Sequence, residues 1–93
     1  MDDAERIGGE GSVLLHPHAM ERARERGATI DEIEVTVLTG ERLKAKHGRL
    51  LFRKEFQSGG IWRGAAKRGK IIEVIAVNEA GAYIVITVIV KWF

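Results

Sequence analysis

Residues 82–93 read AYIVITVIVKWF, and how this stretch folds decides the architecture of the chain. Successive side chains of a strand point to opposite faces. Ala82, Ile84, Ile86, Val88, Val90 and Trp92 therefore form one wholly apolar face, which the sequence assigns to the core. The other face carries Tyr83, Val85, Thr87, Ile89, Lys91 and Phe93, apolar with a phenol, a hydroxyl and an ammonium group set into it. A strand apolar on both sides is expected at the centre of a sheet, because an exposed apolar edge pairs with other chains. The rest of the chain must cover it.

Working back from this strand, Asn78-Glu79-Ala80-Gly81 supplies turn chemistry, and Lys70 to Val77 forms its antiparallel neighbour. Gln57 to Gly69 holds four of the eleven glycines with Trp62, Arg63, Lys67 and Arg68, and reads as a long basic loop. Between Glu41 and Phe56 the period is two on both sides of Gly48, which predicts a hairpin. Upstream the period changes to that of a helix. Thr29-x-x-Glu32 is a capping box, with Ile30, Ile33 and Val37 on one helical face and Gly40 as the stop. Pro17 suits a first helical position, and Gly27 suits a left-handed cap that ends a helix at Arg26. Val13-Leu14-Leu15 adds a short strand before it. Residues 1–12, with Gly8, Gly9 and Gly11, are expected to be a flexible N-terminal segment, and residues 13–93 a single α+β domain. That domain has two N-terminal helices on a four-stranded antiparallel sheet, with the short extra strand ahead of them.

Composition narrows the functional classes. With 93 residues, 45% of them apolar, the chain supports one core, and with no cysteine it has no disulfide, no thiolate nucleophile and no cysteine zinc site. The acidic start MDDAE is unlike a secretory signal, and the longest apolar run is shorter than the roughly 20 residues of a membrane helix. The expected location is the cytoplasm, with no membrane partner. The net charge of +2 conceals a division: residues 1–41 carry 4 Lys/Arg against 10 Asp/Glu, and residues 42–93 carry 11 against 3. A basic second half points to polyanion binding. If the apolar sides of the strands face the helices, Arg42, Lys44, Lys46, Arg49, Arg53, Tyr83, Thr87 and Lys91 share the open sheet face, six of them cationic. Such a face either binds phosphate backbones or simply meets water. With Lys70, these cations are the candidate nucleic-acid contacts.

The sharpest chemistry lies on the first helix, where His18, Arg22 and Arg26 recur every fourth residue and form one ridge. A phosphate there would relieve their mutual repulsion, held by forked guanidinium donors beside an imidazole that exchanges protons near neutral pH. A surface helix with exposed arginines has the same sequence. His16-Pro17-His18 does not complete a metal-ligand spacing, so no metal and no other cofactor is expected.

At these residues a resemblance enters. His18-Ala19-Met20-Glu21-Arg22-Ala23-Arg24-Glu25-Arg26-Gly27, the Gly48-Arg49-Leu50 hairpin and the Ile86-Thr87-Val88 strand resemble the domain of unknown function (DUF) 4258 family over residues 14 to 91. That family is similar to the RelE/ParE and barnase-like metal-independent RNase toxins, so the resemblance implies a RelE-like fold and a toxin-antitoxin ribonuclease. Metal-free RNA cleavage needs a base, an acid and cations around the phosphorane. The resemblance puts His18 in the role of base or acid and Arg22 and Arg26 on the phosphate, with Thr87 as a hydrogen-bond donor and Lys91 or Lys70 as added charge. A second proton carrier is not identified. The alternative is a non-catalytic interaction module, receiving an acidic antitoxin-like protein segment or a second copy of itself as a homodimer through Ile89 to Phe93.

Overall fold

Pro17 opens helix α1 (Pro17–Arg26), with His16 as the N-cap, its Nδ1 accepting from the His18 backbone N–H at 3.1 Å. The computed structural model describes residues 12–57 and 59–93; the flexible segment expected over residues 1–12 lies, except for Ser12, outside the described residues. Gly27 ends α1 at φ 85°, a left-handed conformation that costs other residues energy. The capping box at Thr29 forms as expected, Thr29 Oγ1 accepting from the Glu32 N–H and Glu32 Oε1 from the Thr29 N–H, and opens α2 (Ile30–Thr39). Gly40 follows α2 for a different reason. Its backbone is extended, but an added Cβ would lie 2.5 Å from the Thr36 carbonyl oxygen and 2.7 Å from that of Arg53, so only glycine lets the helix end meet the sheet.

The strands are β1 (Ser12–Leu15), β2 (Glu41–Lys44), β3 (Leu50–Phe56), β4 (Gly60–Trp62), β5 (Ala65–Lys67), β6 (Lys70–Glu79) and β7 (Ala82–Trp92). Five of them form one mixed sheet in the order β1-β7-β6-β3-β2. The class is α+β with two helices. The short strand ahead of the helices is present and pairs parallel with β7, which makes a five-stranded mixed sheet of the expected four antiparallel strands. β4 and β5 form a separate hairpin inside the stretch expected to be a loop. Three hairpin turns share one device, a positive-φ residue followed by a positive-φ glycine: His47-Gly48, Arg63-Gly64 and Ala80-Gly81. Their twist matches the right-handed twist of the strands they join.

The core lies between the helices and one sheet face. Ala19 and Ala23 of α1 let it approach β7 closely, and Ile33 and Val37 of α2 meet Phe52, Ile72 and Val74. Alternation on β6 is regular, with Ile72, Val74 and Ala76 buried toward the helices. On β7 it is not. Ile75 pairs with Thr87 but Ala76 pairs with Val85, so Ile86 is an extra residue that bulges the strand and reverses its alternation. The helix-facing set is Tyr83, Val85, Val88, Val90 and Trp92, the register partners of the buried β6 face. Tyr83 therefore leaves the open face on which the sequence placed it and meets Phe52 edge-on, with centroids 5.3 Å apart. Ile84 and Thr87 share the open face with Ile75, Val77 and Ile89.

Candidate functional site

Alternation carried across the register also sorts the cations. Arg42 and Lys44 pair with Phe52 and Leu50 and so stand on the helix side of the sheet, not on its open face. Lys46 and Arg49 flank the turn at Gly48 beyond the strand ends. Of the eight residues expected together on the open face, Arg53, Thr87 and Lys91 are there. Arg53 and Lys91 both lean on Glu73, at 3.7 and 3.5 Å, so they enclose an anion supplied by the chain itself. Among these three, no uniformly positive surface exists.

The ridge of α1 is divided by its partners. His18 is exposed near the start of the helix. Arg22 pairs with Glu25 at 3.2 Å. Arg26 turns under the helix, and its Nη1 donates to the Val88 carbonyl oxygen at the outer edge of β7. Thr87 lies on the sheet face opposite α1, so it shares no surface with His18 and Arg22. The four residues expected to form one catalytic group are not brought together.

Lys70 is the clearest departure from its expected role as a contact for nucleic acid. It is 5% exposed, and its Nζ donates to the Gly27 carbonyl oxygen and to Glu32 Oε1, each at 2.7 Å, while lying 4.7 Å from the centre of the Trp92 ring. This ammonium joins the end of α1 to the start of α2. Trp92 Nε1 donates to the Arg26 carbonyl oxygen at 3.1 Å, and Arg63 reaches the Glu25 carbonyl oxygen at 3.4 Å. The last carbonyls of α1, which carry the negative end of the helix dipole, thus meet an ammonium, a guanidinium and an indole N–H. Trp62 of the β4–β5 hairpin stacks on Trp92 at 5.0 Å and 15°. A Cβ on Gly27 would fall within 3 Å of both indoles. Partial burial on its own would raise the Glu32 pKa, but hydrogen bonds from Lys70 and Thr29 and the charge of Lys70 outweigh it and hold the carboxyl below its usual range.

The β2 edge is available among the described residues. All four β2 residues are exposed, as are Lys46 and Arg49. The Ala45 N–H donates to the Arg49 carbonyl at 3.0 Å, which fixes the alternation: Leu43 is bonded to β3, and the backbone groups of Arg42 and Lys44 point away from the sheet. Beside Arg42 opens a cleft of about 670 Å³ between the end of α2 and the β6–β7 turn, with Phe52 and Tyr83 in its wall and Asn78 at its rim. Four cations, Arg42, Lys44, Lys46 and Arg49, stand along this edge, and among the described residues none has an ion pair. Sequence reasoning found all four but not the unpaired backbone between them. That feature needed the strand order.

Among the described residues no group of three or more His, Cys, Asp or Glu side chains is arranged to hold a metal ion, and no helix is long and apolar enough to cross a membrane. Comparison of the chain with protein-family models, with curated proteins and with solved structures gives no match.

Proposed function

We propose that this protein is an interaction module that receives an acidic, extended protein segment as an added strand on β2. The observation that carries the reading is the conjunction at that edge of outward-pointing backbone groups at Arg42 and Lys44 with four cations that have no ion pair among the described residues. Main-chain hydrogen bonds give an added strand its affinity, and side chains at alternate positions give it specificity. Residues of the incoming strand on the helix side would lie beside Arg42 and Lys44 and favour carboxylates; those on the other side would lie beside Leu43 and favour apolar groups. A second β2 is a poor partner, because like charges would face one another across the new pair. On this reading the RelE-like and DUF4258 resemblance describes a binding scaffold, and the acidic segment is of the antitoxin-like kind.

RNA is the second reading, supported by the same four cations, with His18 as its proton carrier. One titration separates the two. Fluorescence anisotropy is followed for a labelled peptide alternating Glu with Val, for its scrambled form and for a structured RNA in EDTA, against the wild type, Lys44→Ser and Lys44→Pro. Edge pairing expects the alternating peptide to bind best, Lys44→Ser to weaken it, and Lys44→Pro, which also removes an outward N–H without touching the β3 ladder, to weaken it further. Equal binding of scrambled and alternating peptides overturns strand addition. RNA binding that exceeds peptide binding, with cleavage lost in His18→Ala, replaces this reading by the ribonuclease one.

A further inference from the structure

The largest anomaly in the molecule is its open sheet face. An antiparallel sheet with helices on one side normally shows water a polar second side. Here rows of apolar residues cross it instead: Leu43, Leu51 and Ile75 in register in one row, Val77, Ile84 and Leu14 in another. Leu14 and Leu43 are 49% and 40% exposed. A contiguous apolar patch of this kind on a small protein marks a contact surface.

We infer that two copies of this chain pack through these faces into a two-fold sandwich. Three observations select a second copy as the occupant. First, the charges on the face mix signs in register. Glu41, Arg53 and Glu73 alternate along one row, and Lys91 leans on Glu73, so an identical face turned about a two-fold axis offers each charge an opposite one. A polyanion or an acidic peptide finds no such match there. Second, edge-to-edge association through β2 is discouraged by its like charges. Third, the area is adequate. Five strands about 4.8 Å apart and roughly six residues of 3.3 Å rise give a plan area on the order of 450 Å². Side-chain relief enlarges this toward the roughly 600 Å² per partner of a small stable interface. The inference does not depend on strand addition at β2, which the sandwich leaves open.

Sedimentation equilibrium of the full chain tests it, alongside Ile75→Lys and Thr87→Cys. The wild type is expected to dimerise in the micromolar range and Ile75→Lys to be monomeric with an unchanged far-UV circular dichroism spectrum. The chain has no native cysteine. A bismaleimide linker should therefore join Thr87→Cys chains, at the middle of the face, and not Lys44→Cys chains at the edge. This arm decides the matter even where Ile75→Lys fails to fold. A wild type still monomeric at about 1 mM, a dimer unaffected by a folded Ile75→Lys variant, or linkage through Lys44→Cys in place of Thr87→Cys would each overturn the sandwich.

Discussion

The two long edges of the sheet are treated in opposite ways. Along the outer edge of β7, β1 pairs with Ala82 to Val85, and beyond it Arg26 occupies the Val88 carbonyl while the end of α1 is bound to Trp92 and Lys70. Along β2, among the described residues, no strand or helix intervenes, and the four cations have no ion pair. Both edges are rich in Arg and Lys, yet on one the charges are consumed by the chain's own carbonyls and carboxylates, and on the other they face outward. Cation content alone therefore does not locate a binding surface; the satisfaction of each cation does.

The contrast is broken most severely at Lys70. Lys70→Met leaves the Glu32 carboxylate and the Gly27 carbonyl without their partner, and should cost about 3 kcal/mol in denaturant unfolding. Gly27→Ala comes next, at about 2–3 kcal/mol, since it places a Cβ at φ 85° and against both indoles. Arg26→Ala should cost about 2 kcal/mol for a lost charged hydrogen bond, and expose the β7 edge, which light scattering would register as association. Acid sharpens the same side. Because the folded-state pKa of Glu32 lies below 4.5, its contribution is complete above that value and is lost as the pH falls through the folded pKa. Between about pH 5 and pH 3, Glu32→Gln should therefore lose less stability than the wild type. Smallest of all is the other edge: Arg42→Ser with Lys44→Ser should change stability by no more than about 0.5 kcal/mol, while abolishing binding of the acidic strand.

Local signals in the sequence located the helices well. Pro17, the Thr29 capping box and Gly27 act within a turn of their own position, and the structure uses each for the expected purpose. The faces of β7 were not legible, because both sides of residues 82–93 are apolar and alternation cannot then tell inside from outside. The bulge at Ile86 has no glycine or proline to mark it, yet it moves Tyr83 to the helix side and leaves Ile84 on the other. Arg42 and Lys44 were misplaced for a separate reason: Leu43 reads as the core side of β2, but it pairs with Leu51 on the open face, so its flanking cations share the helix side with Phe52 and Leu50. Lys70 reads as a surface lysine at the start of a strand; only the arrival of the α1 terminus, 43 residues away in sequence, makes it a buried partner. The β4–β5 hairpin was hidden for another reason. Strands of three residues containing glycine and alanine have too little pattern to stand out from a loop.

Both tryptophans of the chain belong to a single stacked pair, with the Arg63 guanidinium over one ring and the Lys70 ammonium over the other. The intrinsic fluorescence of the protein is therefore an optical gauge of one joint, where the β4–β5 hairpin, the end of α1 and the last turn of chain meet. Parallel indoles at this separation couple their electronic transitions. A near-ultraviolet dichroic signal should vanish when the hairpin lifts, so the molecule carries its own label for this attachment.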